Sequence, residues 1–192
     1  MIKTENFDKV EIKSATELKD WLFKNYTRKD GVWLVTYKKA EKNKYVSREE
    51  VLDELLCFGW IDGIRRKLDD QKTMQLITQR KAQHWAKSYK DRAEKLINEN
   101  RMHQAGLASI KAGKESGLWN FMDDVDQLIL PKDLQEALKL LPGATDFFLN
   151  INDSSKRFVL RWIKLAKTEK TRENRINKIA KLSAMGEKLP GS

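Results

Sequence analysis

The apolar residues of this chain change period near residue 84, and that change decides the fold class. Before it, residues 32–39 are a β-branched and aromatic run of strand type, and residues 73–80 read as a further strand. After it, Trp85, Tyr89, Ala93, Leu96 and Ile97 recur at helical spacing, and helical periodicity continues toward the C-terminus. The order reads as α+β: a small antiparallel sheet with helices in the N-terminal half, then an all-helical C-terminal half. No internal repeat and no Gly-, Pro- or Ser-rich linker interrupts it. Residues 1–192 therefore read as a single domain of two lobes, a mixed lobe over 14–82 and a helical lobe over 83–187.

Local signals place the elements. Ser14 with Glu17, and Ser47 with Glu50, have capping-box spacing. The first opens a helix with Leu18, Trp21, Leu22 and Tyr26 on one face, and the second opens a helix over 51–58, with Gly59 suited to its end. Asp62-Gly63 reads as a turn, and residues 69–72 as a hairpin loop whose partner strand is 73–80. Further helices are expected over 105–116, ended at Gly117, and from Pro131 to the Pro142-Gly143 stop. A short aromatic segment over 144–151 follows. Ser154 can cap a last long helical segment with Phe158, Trp162, Ile163 and Ala166 on its apolar side.

The net charge is +10, from 38 Lys and Arg against 28 Asp and Glu. The excess is concentrated in residues 64–101 and 153–192, which flank an acidic stretch. Such a field attracts polyanions. Cys57 is the only cysteine, which excludes an intrachain disulfide and suits a reducing compartment. No apolar run approaches 18 residues, so no membrane span is expected, and the N-terminal stretch has no apolar core of signal-peptide length. The expected location is the cytoplasm. The oligomeric state is open.

Residues 57–63 (CFGWIDG) are the densest candidate for chemistry. A nucleophilic Cys57 would need an activating base, and only His84 and His103 are available. Trp60 and Asp62 alternate along an extended segment and so share a face. Asp62 is either part of a binding site, or a general base, or simply the start of the Asp-Gly turn. No metal-ligand spacing, nucleotide loop or nucleophile elbow is present, so no metal or cofactor is expected, and the balance is against an enzyme of a common class. Around the hairpin, Arg65, Arg66, Lys67, Lys81, Lys87 and Lys90 surround Trp85 and Tyr89, the ingredients of single-strand nucleic-acid binding. That alternative uses residues 65–92 together with the basic segment 156–181. The same Trp85 and Tyr89 spacing also describes a buried helix face.

Several strings together resemble the YdeI/OmpD-associated, or bacteriocin-protection, family. They are residues 33–39 (WLVTYKK), 54–63 (ELLCFGWIDG), Thr78, Arg80, Trp85, Asn100-Arg101-Met102, Ala105-Gly106, Lys156-Arg157, Trp162-Ile163 and Thr171-Arg172. The resemblance runs from about residue 14 to residue 187. Compared with the family's usual strings, Gln79 and His103-Gln104 stand where prolines are common, and Tyr89 stands at an Asn position. The resemblance implies a stress-associated protein linked to peptide resistance, and no settled molecular activity. The first expectation is a small-molecule ligand held near Tyr37, Lys38, Trp60, Asp62, Arg80 and Trp85. Loop-and-sheet junctions form pockets, and the family-like strings cluster there.

Overall fold

The computed structural model describes residues 6–191. These residues form two compact units, divided between Asn120 and Phe121. The first unit runs β1 (Lys9–Glu11), α1 (Ala15–Asn25), β2 (Val32–Tyr37), α2 (Arg48–Cys57), β3 (Trp60–Lys67), β4 (Lys72–Gln79), α3 (Lys87–Asn98) and α4 (Gln104–Glu115). The class is α+β, as the change of period requires.

The four strands lie in the order β1-β2-β4-β3. The three longer strands are antiparallel to their neighbours, but β1 pairs parallel with β2, so the sheet is mixed rather than antiparallel throughout. A three-residue strand is too short to show a period, which is why β1 left no trace in the pattern. Central strand β2 is buried along its whole length, consistent with its unbroken apolar run. Asp62-Gly63 is not a turn. It lies inside β3, where the pairing with β4 shifts register between Asp62 and Arg65. An Asp-Gly pair suits a strand irregularity as well as it suits a turn. The hairpin bend is at 68–71, where the Asp69 carboxylate accepts from the backbone N–H of Gln71 and Lys72.

Both N-caps form as the spacing requires. Ser14 accepts from the Glu17 N–H at 3.1 Å. Ser47 and Glu50 complete a reciprocal capping box, and these hydrogen bonds hold the Glu50 carboxyl below its usual range. The face of α2 toward α3 carries two buried acids, Asp53 and Glu54. Arg92 of α3 binds Asp53 and Glu49, and Arg101 reaches Glu54 at 2.6 Å and Asp53 at 3.4 Å. The buried charges are therefore paired.

Helix α4 approaches more closely than ordinary side chains allow. A Cβ on Gly106 would stand 2.3 Å from the Cys57 carbonyl oxygen, and one on Gly113 would stand 2.4 Å from Nε1 of Trp85.

The second unit is helical: α5 (Asp123–Asp126), α6 (Lys132–Lys139), α7 (Ala144–Asn150), α8 (Asp153–Lys164) and α9 (Glu169–Ala184). Its core includes Leu134, Phe148, Val159, Ile163 and Ile179. The last segment is two helices, not one. Asn152, rather than Ser154, caps α8, and Thr168 opens α9 by accepting from the Thr171 N–H. The inward residues of α8 are Val159, Leu160 and Ile163, whereas Phe158 is exposed. Among the described residues, no helix is long and apolar enough to cross a membrane.

Two stability predictions follow from these contacts. Gly106→Ala costs about 2 kcal/mol, because the obstructing atom is backbone and cannot rotate away. Calorimetry should show the first unit's Tm falling by roughly 4–8 °C. In the second unit, two hydrogen bonds from Arg172 hold the Asp133 carboxyl below its usual range. A depressed carboxyl contributes stability above its unfolded value and loses it as pH falls through the folded one. The stability gap between wild type and Arg172→Met should be constant around neutral pH and close as the pH falls through and below the ordinary Asp range, roughly pH 4.

Candidate functional site

The corner between α2 and β3 is the centre of the first unit. Helix α2 ends at Cys57, Phe58 caps it, and Gly59 turns the chain with φ at +71°. That conformation is costly for any residue with a Cβ. A Cβ there would also stand 2.9 Å from the Ala105 carbonyl oxygen. The Cys57 carbonyl accepts from the His103 N–H at 3.1 Å, and the Gly59 carbonyl accepts from the Arg80 N–H at 2.8 Å. Nδ1 of His103 accepts from the Ala105 N–H, capping α4, and its ring stacks on Phe58 at 4.9 Å. The CFGWIDG stretch thus docks α4 and the end of β4 onto α2.

Cys57 itself is 1% exposed, and burial together with the Glu54 charge pushes its thiol up to about 12. At neutral pH it is a thiol, not a nucleophile.

Beside this corner lies an open pocket of about 550 Å³. One wall is the small-residue face of α4: Ala105, Ala108, Ser109 and Ala112. The opposite wall is the end of β4 and the segment after it, with Gln79, Arg80, Lys81 and Trp85. The Arg80 guanidinium lies over Trp85, 3.7 Å from the ring centre, and 5.4 Å from that of Tyr89. Its Nη2 donates to the His84 carbonyl at 3.1 Å. Its Nε and Nη1 are buried and have no hydrogen-bond partner among the described residues. Burial lowers the pKa of this guanidinium. Behind it, the Tyr89 hydroxyl donates to Asp62, which also accepts from Gln75 at 2.9 Å. Burial and that bond raise the Tyr89 phenol.

The residues named from the sequence fall in several places. Arg80 and Trp85 meet in the pocket wall. Asp62 is one residue behind them, through Tyr89, and does not line the pocket. Trp60 is fully buried, with Nε1 donating to the Tyr26 carbonyl and its ring edge-on to Trp21. Tyr37 and Lys38 are at the other end of the sheet. Tyr37 pairs with Lys72 in the ladder, and the seven steps of β4 from Lys72 to Gln79 span roughly 23 Å. There Tyr37 donates to Glu11, and Lys38 donates to the Asp69 and Asp70 carbonyls.

The basic residues named for nucleic acid are also dispersed. Arg65 donates to Thr73, Arg66 lies over Trp33, and Lys67 pairs with Asp70, all on the hairpin. Lys87 pairs with Asp91, and Lys90 is on the same helix, α3. Only Lys81 of this set lines the pocket. Trp85 is 1% exposed, between Arg80 and Trp119, so its ring is covered.

Sequence reasoning missed the α4 wall. Its signal was present: Ala105, Ala108, Ser109, Ala112 and Gly113 are small residues at helical spacing. Among the described residues, no group of three or more His, Cys, Asp or Glu is placed to hold a metal ion.

Comparison with known families matches residues 127–186 to the family described as bacteriocin-protection, YdeI or OmpD-associated. That stretch is a YdeI/OmpD-associated domain. Residues 10–109 match a second description, a domain of unknown function (DUF8412). The YdeI/OmpD-associated match thus lies in the second unit, while all of the pocket except Ala112, Gly113, Ser116 and Leu118 falls within the domain of unknown function. Comparison with curated proteins and with solved structures found no match.

The thiol provides a direct check of the corner's geometry. Iodoacetamide at pH 8.5 should modify Cys57 in the folded protein about 1000-fold more slowly than in the urea-unfolded chain, from the lost thiolate alone. Equal rates in the two states would show that the α2–β3 corner is open.

Proposed function

We propose that this protein is a stress-associated binding protein whose first unit holds a small molecule in the pocket between α4 and the end of β4. The observation that carries the reading is Arg80, a half-buried cation at the wall of a 550 Å³ pocket, with two buried donors that no described residue satisfies. Buried donors are costly when unpaired, and such groups cluster where ligands bind. The volume is within the range of small-molecule sites, and the remaining wall is mostly apolar with a few polar side chains. Protection against bacteriocins, named in the family's description, would on this reading be an outcome of ligand binding and not of catalysis.

The nucleic-acid alternative has less support. Its best stacking candidate, Trp85, is already covered by Arg80 and Trp119, and several of its cations are paired with acids or held by neighbouring groups. Within the enzymatic alternative, a catalytic Cys57 conflicts with its raised thiol pKa.

A thermal-shift screen with a metabolite panel tests the proposal. A ligand present at 100 times its Kd stabilises by about 2.7 kcal/mol, a shift of several degrees. Ala112→Phe fills the pocket and should abolish the shift while leaving the unliganded Tm within a few degrees. A shift that survives Ala112→Phe places binding elsewhere. No shift from any compound removes the reading.

A further inference from the structure

We infer that the ligand is an amphiphilic anion, with a carboxylate or phosphate head paired to Arg80 and an aliphatic body lying along α4. This rests on the pocket being a binding site and specifies what it takes.

Charge is the first argument. The pocket is lined by two cations, Arg80 and Lys81, and by no Asp or Glu. Other arginines of this unit have acids. Arg92 has Asp53 and Glu49, and Arg101 has Glu54. Among the described residues, Arg80 has the His84 carbonyl and two aromatic faces. A desolvated guanidinium without a counter-charge is the arrangement that an incoming carboxylate or phosphate completes, because it both neutralises the ion and accepts its hydrogen bonds.

The walls supply the second argument. Ala105, Ala108 and Ala112 present methyl groups along about two turns of α4, roughly 10 Å of helix. Ser109 is the hydroxyl among them. The aromatic rings nearby are occupied by one another or by cations. Phe58 and Tyr26 contact the His103 ring, and Trp85 is covered by Arg80 and Trp119. A nucleobase or other flat aromatic ligand would have to compete with these contacts in order to stack. A slender aliphatic chain needs no ring and gains from the methyl wall alone.

The probes are octanoate, octyl phosphate, octanol and octylammonium, titrated into the full-length protein by calorimetry and by tryptophan fluorescence. One or both anions should bind at least tenfold more tightly than octanol, and octylammonium should not bind. Preference for octanoate assigns a carboxylate head, and preference for octyl phosphate assigns a phosphate head. Arg80→Gln should cut anion affinity at least tenfold and leave octanol unchanged. Arg80→Lys, which keeps the charge but loses the planar fork, should fall between. The head-group comparison on wild-type protein stands even if Arg80→Gln fails to fold. The inference is overturned if octanol binds as tightly as the anions, if Arg80→Gln binds them normally, or if none of the four binds. The two readings fail separately. A neutral or cationic panel compound whose shift is lost in Ala112→Phe would overturn the anion class and leave the pocket as a binding site.

Discussion

The first unit depends on how closely α4 can approach the α2–β3 corner. That approach is possible because Gly106 and Gly113 have no side chains at the two points of contact, against the Cys57 carbonyl and the Trp85 indole. Backbone is the least yielding surface in a protein, so these positions fix the height of the helix over the corner. Everything that faces the pocket inherits that height. The Ala105–Ala112 wall stands where it does because Gly106 touches Cys57, and Arg80 is flattened on Trp85 because Gly113 leaves room for the indole.

Electrostatics divides the same unit into settled and unsettled charge. The acids of α2 are buried, and each has an arginine close enough to hydrogen-bond, which turns two costly groups into a brace between α2 and both α3 and the segment after it. Arg80 has no such partner. Its positive charge is stabilised only by aromatic faces and one carbonyl, a weaker arrangement than an ion pair in a desolvated place. A net charge of +10 would ordinarily suggest a broad polyanion surface, yet Lys67, Lys87 and Arg92 are all spent on local acids. The chemically informative cation is one residue, not the total.

How much of this was legible beforehand varies with the range of the interaction. The caps at Ser14 and Ser47 were legible because a capping box is complete within four residues. So was the division into α+β, because period is a local property repeated many times. Asp62-Gly63 was misread because its identity as a strand irregularity depends on β4 opposite it, and nothing within the dipeptide distinguishes that from a turn. Strand β1 was missed because three residues acquire meaning only beside β2. Of the six residues named for a ligand, Arg80 and Trp85 meet at the pocket, while Tyr37 and Lys38 lie at the far end of the sheet. Adjacency of motifs along the chain did not carry over into adjacency in space.

The amino-acid sequence by itself determined the class of fold, most helix starts, and the family resemblance that residues 127–186 match. These follow from patterns a few residues long, and from strings specific enough to be matched directly. Tertiary structure alone decided that CFGWIDG is a docking corner, that its cysteine is inert, and that a stripe of alanines on α4 faces an uncompensated arginine. Each of those facts depends on which atoms lie within a few ångströms across elements far apart in sequence. Burial and pairing, unlike periodicity, exist only once the chain has closed on itself.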